Sequence, residues 1–453
     1  MNYRYRNDEE MKDSGVEWIG KIPVEWGVTK LKNLATIVTG NTPSKNDTEN
    51  YENGIIQWIK PDNITDDFKV TESKDRLSDY GLKQARLIPK NSALVCCIGT
   101  VGKVGISEFE CTTNQQINSV IFDKENWINR FGVYALISSR NEHERNSSKV
   151  VVSILNKSQQ GNINMPIPNI KEQQKIAKFL DEKTFEFDSI ISKKEALIQK
   201  LEEAKKSLIS EVVTGKVKVV KTDDGYELVE RKKEEMKDSG VEWLGDIPKE
   251  WDIKKLKHIS ILNPSKSEVR KYLEEDIEVS FIPMDSVRLG YINIEQSKKI
   301  SQIIDGYTYF KNDDIVMAKV TPCFENRNIA ISENLVNGIG FGSTELNVIR
   351  CIKKEDIEYL YYSLQEEKFI NVATSEMTGA GGLKRVPSNF LINAQFAYPN
   401  TTNEKEKIIK YLNEKEIEIK YIIDKTKQQI EKLKEAKQSL ISEAVTGKIE
   451  ILD

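Results

Sequence analysis

The chain has 453 residues, 30% of them charged and 38% hydrophobic, with a formal net charge of −4 and a mean hydropathy of −0.50. This balance fits two or three domains with large solvated faces and excludes a protein that grips nucleic acid through bulk positive charge, although 67 Lys and Arg leave room for local basic surfaces. No apolar run reaches the ~18 residues of a membrane span, the first residues lack a signal-peptide core, and five cysteines without C-x-x-C spacing argue against zinc and for a reduced, cytoplasmic setting.

Residues 1–10 read as a mobile leader. From Gly15 to Pro168, short alternating apolar runs such as Leu34–Val38, Ile55–Ile59, Ala93–Ile98 and Ile117–Phe122 are punctuated by Gly, Asn and Pro. They predict a small α+β domain with a mostly antiparallel curved sheet and one helix near Trp127–Ser139. A long helix follows over 169–216, and residues 217–235, with Asp223-Asp224-Gly225 and a charged run, read as a linker. A second globular unit over 236–399 repeats the plan: Phe281–Val287 answers Trp58–Ile64, Asp314–Lys319 answers Ala93–Ile98, and a helix near Glu355–Glu366 answers the one after Trp127. A second long helix occupies 400–453.

The repeat is literal at two places. Met11-Lys-Asp-Ser-Gly-Val-Glu-Trp-Ile-Gly20 returns as Met236-Lys-Asp-Ser-Gly-Val-Glu-Trp-Leu-Gly245, and the Leu-Ile-Ser-Glu-x-Val-Thr-Gly-Lys phrase ending at Lys216 returns 232 residues later, ending at Lys448. The chain is one unit written twice. In each long helix a heptad places apolar residues at a and d: Ile176, Leu180, Phe187, Ile190, Leu197, Leu201 and Leu208 in the first, Ile408, Leu412, Ile419, Leu433 and Leu440 in the second, with Lys183 and Lys194 as breaks. This is the pattern of a helix burying a narrow seam against a partner helix. Asn169 with Glu172 and Thr401 with Glu404 have capping-box spacing, and Gly215 and Gly447 stand where a glycine stops a helix. About 44 residues at 1.5 Å each make a rod of roughly 65 Å. The fold expected is α+β, two similar globular domains joined by two long antiparallel coiled-coil helices in a pseudo-twofold internal repeat; on the helices alone, an antiparallel hairpin used as a plain structural spacer is the favoured reading.

Enzyme motifs are weak. Asp62, Glu72 and Lys74 match the loose PD…ExK spacing of a metal-dependent nuclease, but a chain this rich in charge produces such matches by chance, and the second unit has no ExK at the matching place. Gly99–Gly105 lacks phosphate-loop spacing, and Gly379-Ala-Gly-Gly382 has no βα unit around it. What remains are amide-rich and basic loops. Asn and Gln can pair with adenine edges, though they are also ordinary turn formers.

The repeated Lys-Asp-Ser-Gly-Val-Glu-Trp phrases, with Ile22-Pro-Val-Glu-Trp26, Ile247-Pro-Lys-Glu-Trp251, Glu172-Gln-Gln-Lys-Ile-Ala-Lys-Phe-Leu180, Ala318-Lys-Val-Thr-Pro-Cys-Phe-Glu-Asn326 and Gly342-Ser-Thr-Glu345, closely resemble the specificity subunits of Type I restriction–modification systems across nearly the whole chain. The second copy departs from the Glu-Gln-Gln helix entry, reading Asn403-Glu-Lys-Glu-Lys-Ile408. The resemblance implies two target recognition domains, at 1–168 and 236–399, reading the halves of a bipartite, asymmetric site on double-stranded DNA. Spacer helices at 169–216 and 400–453 would set the gap and dock two methyltransferase subunits. This chain would bind no cofactor or metal and catalyse nothing. S-adenosylmethionine belongs to the methyltransferases, and ATP and Mg²⁺ to motor subunits where the system restricts. The residues expected at the DNA are Lys60, Asn63, Lys103, Asn114, Gln115, Gln116, Gln159, Gln160 and Asn162 in the first domain. In the second they are Arg288, Lys319, Thr321, Asn326, Arg327, Ser343, Thr344, Lys384 and Arg385. The alternatives are the stand-alone nuclease and a scaffold carrying two protein-binding modules.

Overall fold

The computed structural model describes residues 2–123, 127–149, 152–223, 225–380 and 382–452; Asp224 of the expected linker and Gly381 of the glycine turn lie outside them. The chain forms two compact units, residues 1–195 with 426–453, and residues 196–425. These cut across the sequence segments, because each unit holds one globular module and one half of each long helix.

In the first unit an antiparallel four-stranded sheet runs in the order Ala35–Thr39, Ile117–Phe122, Ala93–Cys96, Val104–Ile106. A three-stranded sheet beside it contains one parallel pair, Thr112–Thr113 with Ile56–Ile59. Helix Asn129–Ser138 packs Phe131, Val133, Ala135 and Leu136 into the core. The second unit repeats this with strands Ser260–Leu262, Leu346–Cys351, Ile315–Ala318 and Ile329–Ile331, and with helix Ile357–Ser363. Its second sheet again carries one parallel pair, Ser280–Ile282 with Gly340–Gly342.

The long helices span Ile170–Val213 and Thr402–Val445, 44 residues each. Their ends follow from local chemistry. Asn169 Oδ1 accepts the Glu172 N–H at 3.0 Å while its amide donates to Glu172 Oε2 at 2.9 Å. At the other end Lys216 N–H reaches back to the Glu211 carbonyl and Gly215 N–H to that of Val212, the paired bonds of a Schellman stop; Lys448 and Gly447 repeat both. Gly215 and Gly447 have φ of 72°, and a Cβ there would collide with Pro248 or Pro23, so no other residue fits.

The seam departs from the expected register. Ile176 and Leu180, and likewise Ile408 and Leu412, are buried in the module cores rather than between helices. Beyond them the shielded positions are Phe187, Ile191 and Lys194 in the first unit and Ile198, Leu201, Lys205 and Leu208 in the second, spaced alternately by three and four. Ile190 and Leu197, assigned to the seam, are 43% and 44% exposed. The stripe keeps the expected positions Phe187, Leu201 and Leu208 but replaces Ile190 and Leu197 by the next residues, Ile191 and Ile198, and Lys194, read as a break, belongs to it: its Nζ donates to Gln429 Oε1 at 2.6 Å. Lys437 likewise meets Asp188 at 2.7 Å. Residues 188 and 194 thus face 437 and 429, an antiparallel pairing. In the second unit Lys205 pairs with Glu416, and the facing helix shields Ile419 there and Leu433 and Leu440 in the first unit.

Two further expectations fail for one reason. The leader is ordered: Tyr3–Tyr5 pairs antiparallel with Ile449–Ile451, and Arg4 bonds Glu10 and Glu450. The linker contains strands Val217–Thr222 and Gly225–Glu230, paired with each other. Tyr5 opposite Ile449 is the counterpart of Glu230 opposite Val217, so each unit carries the same two-stranded element.

The odd helix entry of the second copy is compensated. In the first unit the Gln173 side chain takes the N–H of Ile128 at 2.8 Å and donates to the Pro168 carbonyl at 3.0 Å. In the second, Lys405 stands in place of Gln173 and Asp356 in place of Ile128, and they form a buried ion pair at 2.5 Å joined by the Tyr398 hydroxyl. Lys405→Gln should destabilise the protein by about 3–5 kcal/mol in urea unfolding, because it strands a buried carboxylate. The double variant Lys405→Gln/Asp356→Ile, which copies the first unit, should recover at least half of that loss.

Candidate nucleic-acid interface

In the first unit the two amide-rich loops meet at one end of the four-stranded sheet. Cys97 N–H donates to the Gln116 carbonyl and Leu155 N–H to the Cys97 carbonyl, which ties the turn at 114–116 to the segment before Asn156. Gln115 and Asn162 are exposed and Gln116 and Gln159 half-buried. Gln115 accepts from the Thr42 hydroxyl, and Gln159 closes a capping box with Asn156. Asn114 is buried, its amide spent on Gln116. Lys60 lies over the Trp58 ring and pairs with Asp75 at 2.6 Å, and Asn63 accepts the Lys60 N–H. Arg86, not singled out in the sequence, donates to the Thr39 carbonyl near Thr42. Lys103 does not join this cluster; its side chain lines a groove with Arg140, Asp188 and Lys434 and approaches Asp66 at 3.5 Å.

Gln160 is the clearest correction. At 0% exposure it cannot reach a ligand, and it forms the middle of a buried chain. The Thr39 hydroxyl donates to Asn118 Oδ1 at 2.7 Å, Asn118 Nδ2 donates to Gln160 Oε1 at 2.8 Å, and Gln160 Nε2 stands 3.5 Å from His143 Nε2. His143 Nδ1 lies 2.8 Å from the Ser139 carbonyl. That geometry needs Nδ1 as donor and Nε2 as acceptor, so a second proton would face the Gln160 amide hydrogens. Burial, which strips water from the charged ring, lowers the His143 pKa to about 4.

In the second unit six of the expected residues converge at the matching sheet end. Lys319 N–H donates to the Glu345 carbonyl, Thr321 Oγ1 donates to the Gly382 carbonyl and accepts the Lys384 N–H, and Arg385 forms a bidentate pair with Glu345 at 2.7 and 2.8 Å. The Arg385 guanidinium holds the Glu345 carboxyl below its usual range. Ser343 and Thr344 adjoin this cluster and line a hollow of about 430 Å³ with Met284 and the aromatic rings of Phe281 and Tyr307, groups not foreseen at the site from sequence. Lys384 and Thr344 are exposed. Asn326 is also exposed, in a separate turn, and Arg288 lies on another hairpin, opposite Tyr291. Arg327 is 9% exposed, with Nε unpaired, in the field of Glu366 and Glu367; burial lowers its pKa.

Asp62 is exposed, Glu72 turns to Arg76 at 3.2 Å, and among the described residues no group of three or more His, Cys, Asp or Glu could hold a metal ion. Burial pushes the Cys97 thiol up to about 12 and Cys111 to about 11, which makes both packing groups rather than nucleophiles.

Two like-built modules with differently surfaced loops at equivalent sheet ends, each seated on halves of two shared long helices, define a duplicated-module protein with helical spacers. The family model described as the Type I restriction modification DNA specificity domain matches residues 23–203 of this chain. The chain is 36% identical over 162 residues to the Type I restriction enzyme EcoEI specificity subunit of Escherichia coli, a match covering 35% of this chain and 27% of that protein. The corresponding EcoAI subunit is 37% identical over 171 residues, 37% of this chain and 28% of that protein, so the chain spans about a quarter of the length of these two relatives. The MjaVIII specificity subunit of Methanocaldococcus jannaschii is 28% identical over 95% of this chain and 94% of its own. A solved structure described as the "structural basis underlying complex assembly and conformational transition of the type I R-M system" shares the fold, with a TM-score of 0.66 at 12% identity over 94% of this chain and 99% of that one. Among the described residues no helix is long and apolar enough to cross a membrane.

His143 gives the first module a pH signature. Its folded pKa is depressed below the ~6.5 of an unfolded chain, so its contribution is complete above that value and is lost as pH falls towards 4. Urea unfolding at pH 7 and pH 5 should show a loss of about 2 kcal/mol that His143→Gln removes.

Proposed function

We propose that this chain is the sequence-reading subunit of a Type I restriction–modification assembly, each module contacting one half of a bipartite target on double-stranded DNA. The observation that carries the reading is that the architecture repeats while the polar groups at the equivalent sheet ends do not: exposed amides at Gln115 and Asn162 in one, hydroxyls and cations at Thr344, Lys384 and Arg385 in the other. Amides suit paired contacts to adenine, and Lys and Arg suit phosphate or guanine. Two such surfaces read an asymmetric site. The helices set the gap, and two methyltransferase subunits cover the outward apolar side chains Phe185 and Ile190 of the first unit and Leu197, Ile417 and Tyr421 of the second. Adenine methylation with S-adenosylmethionine, and ATP- and Mg²⁺-dependent cleavage where a motor subunit joins, belong to those partners.

Selection of this chain with its methyltransferase partners from a random duplex library should enrich two short motifs at one fixed gap; a single contiguous motif would overturn the proposal. Inserting four residues, about one helical turn, between Lys193 and Leu208 should lengthen the gap or abolish binding. Lys384→Ala should weaken binding to all sequences alike and lower the salt slope by about one. Gln115→Ala should instead relax preference at one position of one half-site, by about 1–3 kcal/mol.

A further inference from the structure

Each module presents a buried tyrosine to one of its long helices, and the two tyrosines are copies of one device. Tyr134, on helix Asn129–Ser138, donates its hydroxyl to Asp181 Oδ1 at 2.7 Å and stands 3.1 Å from Thr184 Oγ1, one turn further along the first long helix. Tyr362, on helix Ile357–Ser363, lies 2.6 Å from Asn413 Oδ1 and 2.9 Å from Glu416 Oε2 on the second. The correspondence is position for position, 134 to 362 and 130 to 358 on the modules, 181 to 413 and 184 to 416 on the long helices, yet nearly every partner has changed. Where Arg130 Nε bonds Asp181 at 2.7 Å, Asn413 Nδ2 bonds Glu358 Oε2 at 2.7 Å. In the second unit Glu416 also takes Lys205 of the other long helix, so the hydroxyl is linked to the interhelical pair. What persists through this turnover is a phenol with two acceptors set one helical turn apart.

The place of the tyrosines decides what they can do. Just before them along the long helices, Leu180 and Leu412 are buried in the module cores; just after them, at Phe187 and Ile419, the interhelical stripe begins. The hydroxyl therefore sits between the buried module–helix core and the interhelical stripe, and it resists rotation of the module about the helix. A shallow apolar contact there would permit sliding. A phenol held between two oxygens one helical turn apart, one of them a carboxylate oxygen in each unit, would not, because its single proton bonds directionally. Rotation at this joint carries the reading loops with it, because they belong to the same module.

We infer that Tyr134 and Tyr362 are positioning residues for gap specificity: they fix the angle of each module on its helices, so that the accepted spacing depends on these two hydroxyls as well as on helix length. The inference rests on the proposed DNA-reading function. Removing either hydroxyl leaves the charged neighbours paired, Asp181 with Arg130 and Glu416 with Lys205, so Tyr134→Phe and Tyr362→Phe are expected to fold.

The experiment is library selection with the full chain and its methyltransferase partners, comparing wild type with each Phe variant. Wild type must enrich two motifs at one gap; if it does not, the DNA-reading proposal itself fails. Given that, each variant should keep both motifs while sites off by one base pair rise about tenfold relative to the native gap. A variant that holds the single native gap, or one that changes a motif, overturns the inference. Thermal unfolding monitors folding. Should a Phe variant unfold at the selection temperature, Thr184→Val and Asn413→Ala, which remove one acceptor and keep the phenol, decide the question by the same readout.

Discussion

A 44-residue helix in which charge dominates can persist only if its thin apolar stripe is covered, and the cover must come in one register. Three lysines supply that register. Lys194, Lys205 and Lys437 lie inside the stripe, where desolvation penalises an ammonium without a partner, and they meet Gln429, Glu416 and Asp188. A shift of one turn in either direction would part all three pairs. Such pairs add little net stability against an all-apolar stripe, yet they penalise every alternative alignment. For a spacer, uniqueness of alignment matters more than strength.

The same preference for geometry over particular residues runs through the duplication. Gln173 with the Ile128 backbone becomes Lys405 with Asp356, and Arg130 with Asp181 becomes Glu358 with Asn413. In each case both members of a contact changed. A half-changed pair would bury an unpaired charge at a cost of several kcal/mol. Arg6 with Glu172 and Arg231 with Glu404 did not change, and both tie the strand elements near the modules to the first turn of a long helix, where a carboxylate also suits the helix dipole. Contacts that hold module to helix are therefore constrained as pairs, while the loops at the sheet ends differ between the modules in both their exposed groups and their bracing.

What could be read from the sequence follows the range of the interaction concerned. Helix ends were legible because caps act within a few residues: Asn169, Gly215, Thr401 and Gly447 fall where expected. The seam was only half legible, since a lysine in a heptad looks like an interruption until its partner more than 200 residues away is known. The strand at Tyr3–Tyr5 could not be foreseen, as three residues form a strand only against Ile449–Ile451. The hairpin after Gly215 could have been, because alternating Val217–Val220 followed by Asp-Asp-Gly is a turn signal that the surrounding charge obscured. At the loops, composition identified the right stretches but not which amides face out. Gln115 and Gln160 are alike in sequence terms, and only tertiary packing sends one to solvent and the other into the His143 network.

That distinction bears on how one scaffold can serve two surfaces. In the first module the buried chain from Thr39 through Asn118 and Gln160 to His143 spans the sheet end beneath the exposed amides, so the loop above it rests on directional bonds rather than on loop stiffness. The second module supports its loops differently, through the bidentate Arg385–Glu345 pair and the bonds that Thr321 makes with the segment at 382–384. A loop braced from below can exchange its outer side chains without losing its path. A loop braced by its own surface residues cannot, because Arg385 is then both support and presented group. The first surface is consequently the more permissive to substitution, and the second keeps its charge pattern as a condition of its shape.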